Sequence, residues 1–156
     1  MSRHSPAARA RRSAARLYAV QALFQMEAAG SGLDAVREEF ETHRLGLEID
    51  GESYGDPDLD HFRTVLHEAV NHQARIDQLT DRALVAKWPI DRIDPTLRAL
   101  FRAAGAEIVA LDTPAKVIIA EYIAVARAFF PEGREQKFVN AVLDHMAREA
   151  RPEAFA

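Results

Sequence analysis

The sequence predicts an all-α fold, a single-domain bundle of about seven helices. Three observations predict it. Apolar residues recur at three- and four-residue steps along most of the 156 residues. Helix-boundary chemistry separates these runs, as in Asp94-Pro95, Thr113-Pro114 and Pro131-Glu132-Gly133. No strand-period segment with hairpin turn chemistry interrupts them.

The first helix is expected to start between Ala7 and Arg11, after Pro6, with Leu17, Val20, Leu23 and Phe24 on one apolar stripe and Gly30-Ser31-Gly32 as its stop. A short second helix carries Leu33, Val36 and Phe40 to about Thr42. From Gly46 to Pro57, glycines and acids (Glu48, Asp50, Glu52, Asp56) show no sustained period and read as an exposed loop. A helix from about Asp58 turns Leu59, Phe62, Val65, Leu66, Ala69 and Val70 inward. The next holds Ile76, Leu79, Leu84 and Val85 and is closed by Trp88-Pro89.

Asp94-Pro95 supplies a cap acceptor and a proline at the first helical position. The stripe that follows, Leu97, Leu100, Phe101, Ala104, Ile108 and Leu111, marks the central helix. Thr113-Pro114 repeats the device and opens a helix through Val117, Ile119, Ile123, Ala126 and Phe130. The last helix carries Phe138, Val139, Val142, Leu143 and Met146 and frays at Pro152.

Charge is unevenly distributed. The chain carries 20 basic and 24 acidic residues, a formal −4, but Arg3, Arg9, Arg11, Arg12 and Arg16 precede the first acid, Glu27. Everything after Met26 holds 15 basic against 24 acidic residues, or −9. A basic head on an acidic body has three readings: an organellar transit peptide, a solvated tail, or an arginine-rich helix start that grips nucleic-acid phosphates. Arg9, Arg12 and Arg16 follow a helical step and share a side of the first turns.

Other function classes find little support. There is no cysteine, hence no disulfide, thiolate metal site or thiol nucleophile. No apolar run approaches the roughly 18 residues of a membrane span, and no signal-peptide core follows the first arginines. The expected product is a soluble, cytoplasmic protein. His61, His67 and His72 lack the i, i+4 spacing of a zinc helix and read as surface histidines. No nucleophile elbow or phosphate-cradling glycine loop is present. Nothing calls for a metal, a cofactor or catalysis. Glu121 interrupts an apolar face and is read as exposed, and Asn140 should face solvent or a partner. Phe138, beside Lys137 and near Arg134, is either a platform for an unpaired base or a core residue.

Several segments, in order, carry a family resemblance. They are Arg16 with Ala19-Val20-Gln21-Ala22-Leu23-Phe24, then Phe62-Arg63, Arg98-Ala99-Leu100-Phe101-Arg102, Asp112-Thr113-Pro114-Ala115-Lys116-Val117, and Lys137-Phe138-Val139-Asn140-Ala141-Val142-Leu143-Asp144. From about Arg9 to Glu149 the chain resembles the NusB family of bacterial transcription antitermination factors. The resemblance implies two small helical bundles sharing a core. It also implies binding of boxA-type single-stranded RNA together with the ribosomal protein NusE, in a transcription elongation complex, chiefly on ribosomal RNA operons.

Carried over by position, the RNA-binding residues are Arg9, Arg11, Arg12, Arg16, Arg134, Lys137 and Phe138, and the partner-facing positions are Phe24 and Leu97. Departures are Leu97, where an acid is common, Phe24 for a frequent tyrosine, Ala141 for a glycine, Ala120 for an asparagine, and Arg134 for an acid. The expected organisation is a flexible basic tail (1–8), an RNA-binding helical domain (9–149, with the acidic loop at about 44–57) and a C-terminal tail (150–156). The alternative is a helical protein–protein adaptor or homodimer with incidental RNA contact.

Overall fold

The computed structural model describes residues 5–46, 48–49, 52–53, 56–85 and 93–155. Among them are seven α-helices: α1 (Pro6–Ala29), α2 (Leu33–His43), α3 (Leu59–Asn71), α4 (Gln73–Val85), α5 (Pro95–Ala110), α6 (Ala115–Phe129) and α7 (Arg134–Ala150). A 3₁₀ turn, Pro152–Phe155, follows. The all-α expectation holds. No helix is long and apolar enough to cross a membrane among the described residues.

α5 is the hub. It packs against α1 and α3 on one side and against α4, α6 and α7 on the other, while α2 rests on α1 and α3. The two groups share one continuous core through Leu100, Phe101 and Ala104 of α5, which are fully buried. This matches two small bundles with a common core. Close approach at the hub depends on Gly105: a Cβ there would sit 2.3 Å from Cγ2 of Ile76 on α4.

Local chemistry explains the boundaries. Ser5 Oγ accepts from the Ala8 N–H at 3.1 Å and Pro6 occupies the first helical position. α1 therefore starts earlier than its pattern suggested, and residues 6–8 are helix, not tail. Its far end closes on Gly30, whose φ of 67° lets its N–H reach the Met26 carbonyl. Asp58 caps α3 through the His61 N–H, and its own N–H donates to the Arg11 carbonyl at 2.9 Å, tying α3 to α1. Asp94 caps α5 through the Thr96 N–H at 2.7 Å.

Several expectations need correction. The 46–57 segment contains a minimal antiparallel pair, Glu48–Ile49 with Glu52–Ser53. Strands of two residues are too short to show a period in the sequence. Pro114, not Thr113, is the N-cap of α6, without a side-chain cap bond. The buried face of α6 is Ala115, Ile118, Tyr122, Val125 and Ala126. Val117 is exposed, and Ile119 and Ile123 are only partly buried. Val70 and Val85 also face outward.

The C-terminus does not fray at Pro152. Phe155 packs back against the core, with the Arg148 guanidinium 4.5 Å from its ring centre. The proposed Trp88-Pro89 stop and Arg3 lie outside the described residues.

Candidate nucleic-acid interface

The four arginines of α1 divide sharply by depth. Arg9 and Arg11 are exposed and Arg12 is half-buried, but Arg16, one turn on, is 2% exposed. Its Nε donates to Glu107 Oε2 at 2.8 Å and its Nη2 to Oε1 at 3.1 Å, a bidentate pair inside the protein. A second carboxylate, Glu121, lies 3.4 Å from Nη1. Arg16 is thus a structural ion-pair residue. Its expected role as a phosphate contact is corrected, because both the guanidinium fork and the solvent side are already taken.

Glu107 is the centre of this network, with no exposed surface. The Tyr122 hydroxyl donates to it at 2.6 Å, and His61 Nε2 lies 3.3 Å from Oε1 without the alignment of a hydrogen bond. Burial pushes the Glu107 carboxyl up, but the facing His61 and Arg16 outweigh it and hold the carboxyl at about 2. Burial disfavours the Arg16 cation, yet Glu107 more than compensates and its pKa rises. Burial and the neighbouring Glu107 charge push the Tyr122 phenol well up, so it remains a donor. Ser13 Oγ donates to both Glu121 oxygens at 2.9 and 3.2 Å. Glu121 is a half-buried acceptor and not the exposed acid expected, and His61 is not a surface histidine.

Above this network opens a groove of about 610 Å³ between α1, the start of α3 and the α5–α6 loop. Arg9 and Arg12 line it from α1, Asp58, Asp60, His61 and Thr64 from α3, and Leu111 to Pro114 with Val117 from the far wall. The loop on that wall is fixed from the C-terminus. The Arg151 guanidinium donates to four backbone carbonyls, those of Glu107, Ile108, Leu111 and Thr113, at 2.6–2.8 Å. Among these, the Ile108 carbonyl is one that the end of α5 leaves without an intrahelical donor, whereas that of Glu107 also accepts from the Leu111 N–H.

The second half of the expected site lies on α7. Arg134 and Lys137 are exposed in its first turns, and Arg134 comes within 4.0 Å of Glu132. Phe138 is partly buried and meets Phe101 edge to face, with ring centres 6.0 Å apart. It is a rim residue with one side on the core. Asn140 is exposed, as expected. α7 packs on α4, α5 and α6, and α1 on α2, α3, α5 and α6. The α1 arginines and the α7 group thus reach the surface from helices whose shared neighbours are α5 and α6, and no α7 residue lines the arginine groove.

The two expected partner positions also separate. Phe24 is 38% exposed and lines an apolar groove of about 340 Å³ with Val20, Ala28, Phe40 and Phe129. Leu97 is 6% exposed and belongs to the core, so it offers a partner no side chain, which corrects that expectation.

Sequence reasoning missed Glu107, Tyr122 and Arg151. One signal was available for Glu107: it is an acid placed between Ala106 and Ile108 on the most apolar stretch of α5.

The chain is similar to known proteins along most of its length. The family model described as NusB family matches residues 13–148. The chain is 49% identical over 144 residues to the transcription antitermination protein NusB of Agrobacterium fabrum, covering 92% of this chain and 87% of that one. It is 46% identical over 151 residues to the protein of that name from Bartonella tribocorum, covering 96% of each. Among solved structures it is similar to T. maritima NusB, with a TM-score of 0.71 and 30% identity, covering 92% of this chain and 96% of that one.

Proposed function

The chain belongs to the NusB family, and from that premise we propose that it is an RNA-binding transcription antitermination factor acting by binding, without turnover. Its RNA is of the boxA type, single-stranded, and it acts with the ribosomal protein NusE in the transcription elongation complex, chiefly on ribosomal RNA operons. The observation that carries this reading is the family match along the whole helical body, residues 13–148, with relatives named as antitermination proteins.

The geometry supports a division of labour. Arg9, Arg11 and Arg12 project from the first turns of α1 on a chain that is otherwise acidic, so a polyanion is directed to that end. Their charges position phosphates, as do Arg134 and Lys137. Phe138 is held edge-on by Phe101 and offers its outer side to one unpaired base. The Phe24 groove, on the flank of α1, is the surface for NusE.

The test is a fluorescence titration of boxA-type RNA and of a scrambled RNA, with and without purified NusE. The reading expects sequence-selective binding that tightens when NusE is added. Equal affinity for both RNAs, unchanged by NusE, would overturn it.

A further inference from the structure

We propose that the groove between α1, α3 and the α5–α6 loop holds one unpaired nucleotide, and that Asp112 reads the exocyclic amino group of its base. This rests on the RNA-binding reading above and adds to it a position and a base class.

Three kinds of chemistry meet in that groove. Arg12, half-buried, has no hydrogen bond or ion pair among the described residues and is placed for a phosphate. Leu111, Pro114 and Val117 form an apolar wall, and Val117 is 42% exposed with nothing covering it. Asp112 is an exposed carboxylate, likewise without a partner among the described residues. On the α3 side, His61 lines the groove with its Nε2 turned to Glu107, 3.3 Å from Oε1. The volume, about 610 Å³, lies within the roughly 300–1,000 Å³ of sites that take small molecules.

A carboxylate beside phosphate-binding arginines works against a polyanion unless it accepts a hydrogen bond from the ligand itself. An ionised carboxylate can only accept. The donors available on an unpaired base are the amino groups of adenine, cytosine and guanine, exposed when the base is splayed from its neighbours. Uracil offers one ring N–H between two carbonyl oxygens, which a carboxylate repels.

Reading also needs a fixed reader. Asp112 sits between Leu111 and Thr113, whose carbonyls accept from Arg151 at 2.7 and 2.6 Å, so the backbone is anchored on both sides of it.

The experiment uses the full chain with short single-stranded RNAs of adenosine, cytidine, uridine or purine riboside, the last being adenosine without its amino group. Affinities are measured at one salt concentration for wild type, Asp112→Ala and Asp112→Leu, neither of which leaves a side-chain acceptor. The proposal expects wild type to prefer the amino-bearing RNAs about tenfold or more, in the range of one hydrogen bond to a charged group. Both variants should bring that ratio close to one by losing affinity for adenosine and cytidine, with unchanged melting temperature. If the variants instead tighten every RNA by the same factor, Asp112 is only a repulsive charge and the proposal fails while RNA binding stands. If wild type binds none of these RNAs, nor boxA-type RNA, the RNA-binding reading itself fails.

Discussion

Replacing Arg16 by methionine tests the division between structural and RNA-facing arginines. The substitution keeps the volume and removes the guanidinium from a bidentate pair whose partners are 3% and 0% exposed. Glu107 would then be a buried carboxylate with only Tyr122 and His61 facing it. Breaking one partner out of such a pair costs about 3–5 kcal/mol. For a domain of this size that lowers the melting temperature by roughly 6–20 °C.

The pH dependence gives a second handle. In the wild type Glu107 is held down at about 2, below its ordinary 4.5, so its contribution to stability is full above pH 4.5 and lost as pH falls toward 2. That shift corresponds to roughly 3 kcal/mol. In the variant, burial wins and the carboxyl titrates high, so the deficit relative to wild type is largest at neutral pH and narrows on acidification. Adding Glu107→Gln to Arg16→Met should recover part of the loss, because the orphaned charge is gone. Thermal denaturation followed by circular dichroism reads all three. A melting temperature unchanged in Arg16→Met, together with weaker RNA binding, would refute the reasoning and return Arg16 to the phosphate-contact role.

Three further outcomes follow from the packing. Gly105→Ala drives a methyl group into Ile76 across the α4–α5 contact and should destabilise by about 1–3 kcal/mol in chemical denaturation, despite alanine's better helix propensity. Phe138→Leu keeps most of the packing against Phe101 and should melt within a few degrees of wild type, yet lose roughly 1–3 kcal/mol of RNA binding; wild-type affinity would show that no base stacks there. Arg151→Ala removes the donor from four carbonyls around the α5–α6 loop and should lower the melting temperature and speed amide exchange in that loop, with Arg151→Lys recovering only part, since an ammonium lacks the planar fork.

The helices were legible because their signals are local. Asp94-Pro95 and Gly30 act within a few residues, and capping and propensity set those ends directly. Faces were legible where a helix has one polar side. α6 does not: Val117, Ile118 and Ile119 are all apolar, so periodicity could not select the buried stripe, which Tyr122 and its bond to Glu107 mark. The same limit governs the arginines. Arg9, Arg12 and Arg16 share a helical step, but the surface is crossed between half-buried Ser13 and buried Ala14. What lies across from Arg16 is an acid 91 residues away, and only the packing of α5 on α1 brings them together. Phe138 was ambiguous in sequence because it does sit on a boundary, with one edge on Phe101.

The most direct test of phosphate binding by Arg9, Arg11 and Arg12 of α1 is the salt dependence of boxA-type RNA binding for wild type and the Arg9→Ala, Arg11→Ala, Arg12→Ala triple variant. Each lost phosphate contact on single-stranded RNA should flatten the slope of log affinity against log salt by about 0.7. Weaker binding and a slope flatter by roughly 2 are expected if all three arginines engage. Unchanged affinity and slope in the triple variant would contradict phosphate binding by these arginines.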